Sequence, residues 1–182
     1  FIIDSKDPKE IDDAFSLELL EGEIKKLWIH ISNPCKLFTT DSKIDNYARR
    51  KISSLYLIDQ YVPMLPLEII EKANLKQNKL SDTISASIIF NDNGSIYKYE
   101  IVEAKIIPKY QLTYEDAEEI LELQPKEEFE IVEIKNLLIK SFNYRKTQGS
   151  ITFDIPNYKI TNNNGIVQLE YLPKSISHTI VS

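Results

Sequence analysis

The stretch Ile2-Ile3-Asp4-Ser5-Lys6-Asp7-Pro8-Lys9-Glu10-Ile11-Asp12-Asp13-Ala14 runs from an apolar start, through a loop, into an apolar strand, and it sets five carboxylates within ten residues. Carboxylates this close repel one another and raise each other's pKa values. Such a cluster is stable only if water solvates it or a cation sits among it. Their oxygens are hard ligands, suited to Mg²⁺ or Mn²⁺ rather than to zinc. A calcium loop is a third reading, but the central Gly and the closing Glu of that pattern are absent.

Phe1-Ile2-Ile3 reads as a strand end, so Asp4 falls where a sheet meets a loop. Pro8 fixes its own φ and turns Lys9-Glu10 back. Asp12 and Asp13 are adjacent and would face opposite ways on a regular strand. Both reach one site only if the backbone is irregular there, or if two metals lie on either side. Phosphoryl-transfer enzymes hold two metals roughly 3.5–4 Å apart in this manner. The same residues also fit a plain acidic loop solvated by water.

Around this stretch the composition is that of a globular chain. Its 182 residues suffice for one domain with a real core, and 42% hydrophobic with 27% charged residues are ordinary globular values. No apolar run approaches a transmembrane length, and no signal peptide is visible. The single cysteine, Cys35, excludes an internal disulfide and fits a reducing compartment. Beside Pro34 it reads as a small buried apolar residue. A net charge of −6 is unlike a general nucleic-acid binder; Arg49-Arg50-Lys51 and Arg145-Lys146 offer local positive patches, but phosphate contacts are expected largely from parts of the protein outside these residues.

Further along, residues 14–20 alternate as a half-buried strand, and residues 26–31 return after a turn at Glu21-Gly22. His30 and Asn33 lie at the end of the returning strand. His30 alone fits a satisfied core histidine better than a catalyst. Asp41 or Ser42 caps a helix to about residue 53, with Ile44, Tyr47, Ala48 and Ile52 as its apolar face. Pro63-Met64-Leu65-Pro66 is an extended connector, and residues 67–74 form a short helix. Residues 83–90 and 95–106 make a hairpin about Asn91-Asp92-Asn93-Gly94. Thr113 caps a helix, with Asp116 three residues on. A longer helix spans residues 126–146, with Phe129, Val132, Leu138 and Phe142 buried. Residues 151–155, 158–161 and 166–171 are short strands, and residues 175–182 begin a helix. The class is α+β, a mixed and mainly antiparallel sheet with packed helices.

The acidic stretch closely resembles the first catalytic motif of the ribonuclease II / ribonuclease R family of exoribonucleases. That pattern runs from Ile-Asp, through a short loop, to an acid, one residue, then Asp-Asp-Ala. Here it is Ile3-Asp4, Glu10, Ile11 and Asp12-Asp13-Ala14. The likeness continues in order through His30-Ile31, Asp45 with Ala48-Arg49-Arg50, Ser54-Leu55-Tyr56-Leu57 and Pro63-Met64-Leu65-Pro66. It goes on through Leu112-Thr113-Tyr114-Glu115-Asp116-Ala117, Gly149 and Phe153-Asp154.

The resemblance implies that residues 1–182 are the N-terminal portion of an RNB-type catalytic domain, with no second domain in the chain. It implies a hydrolytic, Mg²⁺-dependent 3′→5′ exoribonuclease that releases nucleoside 5′-monophosphates from single-stranded RNA. Asp4, Glu10, Asp12 and Asp13 fall at its four acidic positions and would hold Mg²⁺, or Mn²⁺, with Asp12 and Asp13 as the catalytic pair. Tyr56 and Phe153 would stack on terminal bases, Tyr114 would help place the scissile phosphate, and Arg49 and Arg50 would contact RNA. Two positions depart from the pattern. Glu10 stands where better-known members have Asp, and Asn33 stands where the family's His-Ile-Ala-Asp ends in Asp. A catalytically silent RNA-binding module and a protein-interaction domain are the readings from other classes. The expectations include a monomer in the cytoplasm or an organellar equivalent, no membrane partner, and little activity from these residues alone.

Overall fold

The apolar residues on either side of the acidic loop become strands. In the computed structural model, which describes residues 1–151, 157–163 and 166–172, β1 is Ile2–Asp4 and β2 is Asp13–Leu19. β2 turns at Gly22, whose φ of 75° suits a residue without a Cβ, into antiparallel β3, Lys25–Ser32. The remaining strands are β4 (Leu55–Tyr56), β5 (Tyr61–Val62), β6 (Ser81–Phe90), β7 (Ile96–Ile106), β8 (Gln111–Thr113), β9 (Asn157–Asn163) and β10 (Ile166–Leu172). The helices are α1 (Lys43–Lys51), α2 (Leu67–Ala73), α3 (Tyr114–Leu123) and α4 (Phe129–Thr147).

The chain divides into two compact units. The first is built on Phe1–Asn33 and the segment that starts at Asn74. Its centre is an antiparallel sheet in the order β2-β3-β6-β7, with β1 and β8 as a separate parallel pair. Phe15, Leu27, Ala117, Leu121, Ile131 and Ile134 form one core between this sheet and α3 and α4. A smaller core joins Ile2, Ile11, Ala14 and Leu75. The second unit is built on Pro34–Ala73 with β9 and β10. Ala48, Leu65, Ile69 and Ile70 form its core, joined by Phe38, Ile44, Tyr61 and Met64. The α+β class and the mainly antiparallel sheet are as the pattern predicts.

Several details differ from the sequence reading. α1 stops at Lys51, because Ile52 takes a positive φ of 69°. Ala48 is buried and Ile44 half-buried, but Tyr47 and Ile52 face solvent, so the apolar face is narrower than four residues. α4 starts at Phe129 after a 3-10 turn over Lys126–Glu128. Its buried residues are Ile131 and Ile134; Phe129 is exposed, and Val132, Leu138 and Phe142 are only half-buried. An even scatter of apolar residues around this helix leaves its phase open to the sequence, and packing against β2 selects it. Cys35 is exposed rather than buried, since it lies on the short 3-10 turn Pro34–Leu37, which buries no side chain. β8 and the small β4–β5 hairpin are too short to show a period. The expected strand over residues 151–155, beyond Ile151, and the helix start over 175–182 lie outside the described residues.

Candidate active site

The acidic loop is held at its two ends by sheet and in its middle by a distant side chain. Asp4 closes β1, and its Cα partner in the parallel ladder is Thr113. Asp13 opens β2 opposite Ile31, while Asp12 stands one residue before the ladder. The Asp12 carbonyl still accepts a 2.7 Å hydrogen bond from the Ser32 amide, so β3 fixes the backbone at the acid pair. Ile11 is buried. Its N–H donates to Asn74 Oδ1 at 3.1 Å, and its carbonyl accepts from the Leu75 N–H at 2.9 Å. Asn74 also donates to the Lys9 carbonyl at 3.4 Å. A residue 63 positions away therefore shapes the acid loop, and no local signal in the sequence marks it.

The carboxylates sense one another. Asp13 is pushed up to about 6, by desolvation and then by the charges of Asp12 and Asp4. Asp12 is also raised, by desolvation and then by Glu10 and Asp4, although part of its surface still meets water. The Tyr114 hydroxyl is raised by desolvation and by Asp4 and Asp13. Tyr114 comes to the acids because it follows Thr113, the ladder partner of Asp4. Thr113 caps α3 with a reciprocal pair: its Oγ1 accepts from the Asp116 N–H at 3.1 Å and its own N–H donates to Asp116 Oδ2 at 2.9 Å.

Asp4, Glu10, Asp12, Asp13 and Tyr114 thus share one electrostatic neighbourhood in the first unit. In chemistry the donor set fits a hard divalent cation, and the raised carboxylates are a charge excess that a cation would relieve. Among the described residues, however, no three His, Cys, Asp or Glu side chains surround a single point closely enough to hold an ion. Asp7 points to solvent at the loop tip. His30 is buried, with Nε2 2.9 Å from Ser16 Oγ and Nδ1 2.8 Å from Ser85 Oγ. Desolvation lowers its pKa to about 4, so it is a neutral, fully partnered core residue.

The other site residues of the sequence reading belong to the second unit. Tyr56 is exposed on the β4–β5 hairpin, its ring 5.2 Å from that of Tyr61. Arg49 and Arg50 are exposed on α1, where Arg49 Nε pairs with Asp45 at 3.0 Å and Arg50 Nε reaches the Asn46 carbonyl at 3.3 Å. Phe153 lies outside the described residues.

Fold and site together define a mixed α+β domain whose sheet carries a crowded carboxylate loop. The RNB domain family matches residues 1–182, and the chain belongs to that family. It is 33% identical over 152 residues to ribonuclease II, chloroplastic/mitochondrial, of Arabidopsis thaliana, a match covering 83% of this chain and 19% of that protein. It is 31% identical over 184 residues to an uncharacterized ribonuclease of Synechocystis, covering all of this chain and 28% of that one. The chain spans less than a third of the length of either relative. Its fold matches Mycoplasma genitalium RNase R, solved with ribose-methylated single-stranded RNA, at a TM-score of 0.88 and 20% identity, over 99% of this chain and 29% of that one.

Proposed function

We propose that this chain forms the acidic portion of a hydrolytic, Mg²⁺-dependent 3′→5′ exoribonuclease that releases nucleoside 5′-monophosphates from single-stranded RNA. The observation that carries the reading is the gathering of Asp4, Glu10, Asp12 and Asp13 at the ends of β1 and β2, where burial and then the charges of Asp12 and Asp4 push Asp13 up to about 6, and burial and then Glu10 and Asp4 raise Asp12. Family membership and relatives named as ribonucleases support it. Asp4, Glu10, Asp12 and Asp13 would hold Mg²⁺, and the chemistry supplied there is activation of a water and neutralisation of phosphate charge. β1, β3 and Asn74 hold the carboxylate backbones at fixed spacing. The Tyr114 hydroxyl, its pKa raised further by burial and then by Asp4 and Asp13, stays protonated and would donate a hydrogen bond to a phosphate oxygen. Tyr56 offers an exposed ring for a terminal base.

Hydrolysis of a 5′-labelled oligoribonucleotide by the full-length protein tests this. Mg²⁺ or Mn²⁺ should be required, and Asp12→Asn should abolish turnover while RNA binding persists. Full activity in EDTA would refute the proposal. If Glu10 is part of the site, Glu10→Asp should keep or improve the rate and Glu10→Gln should impair it. The added methylene of Glu over Asp moves the oxygens by on the order of 1 Å, enough to alter the attack geometry.

A further inference from the structure

Separate from the acid loop, α1 carries a surface of which the family resemblance assigns only Arg50. Lys43, Asn46, Tyr47, Arg50 and Lys51 line an open depression of about 600 Å³. Their spacing is i, i+3, i+4, i+7 and i+8, so they form a single stripe along one side of the helix. No acidic residue is among them. Ala48 and Ile44 turn inward from the same helix to the core of the second unit. Arg49 falls off the stripe, and its guanidinium is engaged by Asp45 at 3.0 Å. Lys51 Nζ lies 5.5 Å from the centroid of the Tyr47 ring, so an exposed aromatic face sits among the cations.

We propose that this stripe of α1 is a binding surface for the backbone of single-stranded RNA, with Tyr47 as a stacking platform for a base; this rests on the ribonuclease reading. Three cations along one stripe contrast with a chain whose net charge is −6. Lys43 and Lys51 are eight residues apart, about 12 Å along the axis, which gives a track rather than a point site. A cationic track with an interposed aromatic ring is the arrangement that grips single strands without reading their sequence. An acidic polypeptide would use the charges but leave the tyrosine face idle.

The test measures the affinity of the full-length protein, in its Asp12→Asn form, for a fluorescent single-stranded oligouridylate at several salt concentrations. Binding to a single strand scales with salt by a slope of about 0.7 per phosphate contact. The triple variant Lys43→Gln/Arg50→Gln/Lys51→Gln should therefore lower that slope by about 2, and Tyr47→Ala should weaken binding while leaving the slope unchanged. An equal charge change elsewhere, Lys72→Gln/Lys79→Gln/Lys98→Gln, should change neither. These side chains are exposed except Lys51, which is half-buried, and matched melting curves verify folding. RNA binding with an unchanged slope in the α1 triple variant overturns the assignment; if that variant then loses binding to polyglutamate, the stripe serves an acidic polypeptide. RNA binding absent even in the parent protein overturns the ribonuclease reading along with it.

Discussion

His30 sits between two serine hydroxyls, where a neutral ring gives one nitrogen as donor and the other as acceptor. Protonation would make both nitrogens donors inside a buried site. Its folded pKa, about 4, lies below the ordinary 6.5. Between these values the unfolded chain binds the extra proton, so His30's contribution to stability is complete above about 6.5 and is lost as the pH falls toward 4. Melting of wild type and His30→Gln from pH 7.5 to 4.5 should show a shallower acid loss in the variant. Identical slopes would mean that the histidine is hydrated. Ile52 is a second residue with a local signature. A β-branched side chain at φ 69° is strained, and this one is exposed, so nothing in its packing requires it. Such backbone costs are of order 1–3 kcal/mol, partly offset by the extra entropy of an unfolded glycine. Ile52→Gly should raise stability by about 1 kcal/mol in urea unfolding.

At the scale of elements, the hairpin between β6 and β7 is joined to α4 at Gly94. Its φ is 86°, and a Cβ there would run into the carbonyl of Lys140. That atom is helix backbone and cannot rotate aside. Gly94→Ala should destabilise the protein by about 2 kcal/mol or more, combining overpacking with a disfavoured φ. A loss below roughly 0.5 kcal/mol would show that the hairpin tip moves freely from α4. The acid loop depends in the same way on a partner outside itself. Asn74→Ala removes the acceptor of the buried Ile11 N–H, so it should lower stability and, on the proposed Mg²⁺-dependent reading, metal affinity, the latter read by Mn²⁺ titration.

At the scale of the whole molecule, the ribonuclease reading places the grip on RNA and the carboxylate chemistry in different compact units. Tyr56 belongs to the unit without the acids, so its loss should affect grip more than chemistry. Tyr56→Ala in the full-length protein should leave a longer limit product, while the rate on long RNA changes less; stacking is worth roughly 1–3 kcal/mol per base. End products of equal length on a sequencing gel would refute the role. Since these residues span less than a third of their relatives' length, the 182 residues alone should degrade RNA far more slowly than a full-length protein.

What the amino-acid sequence determined by itself was local. The acidic stretch, the Asn91–Gly94 turn, the Thr113 capping box and the alternation of β2 and β3 are written in neighbouring residues, where capping, turn geometry and period act over a few positions. The motif spacing also carried the family. Tertiary structure alone decided which groups are perturbed, because desolvation and charge act through space: Asp13 rises because it is desolvated beside Asp12 and Asp4, and Tyr114 because it is desolvated and, with β8 parallel to β1, faces Asp4 and Asp13. It alone set the phase of α4, where packing chose Ile131 and Ile134 from an unpatterned run, and it exposed Tyr47. It also recruited Asn74 to the acid loop, since a hydrogen bond between residues 63 positions apart leaves no trace in the pattern of either segment.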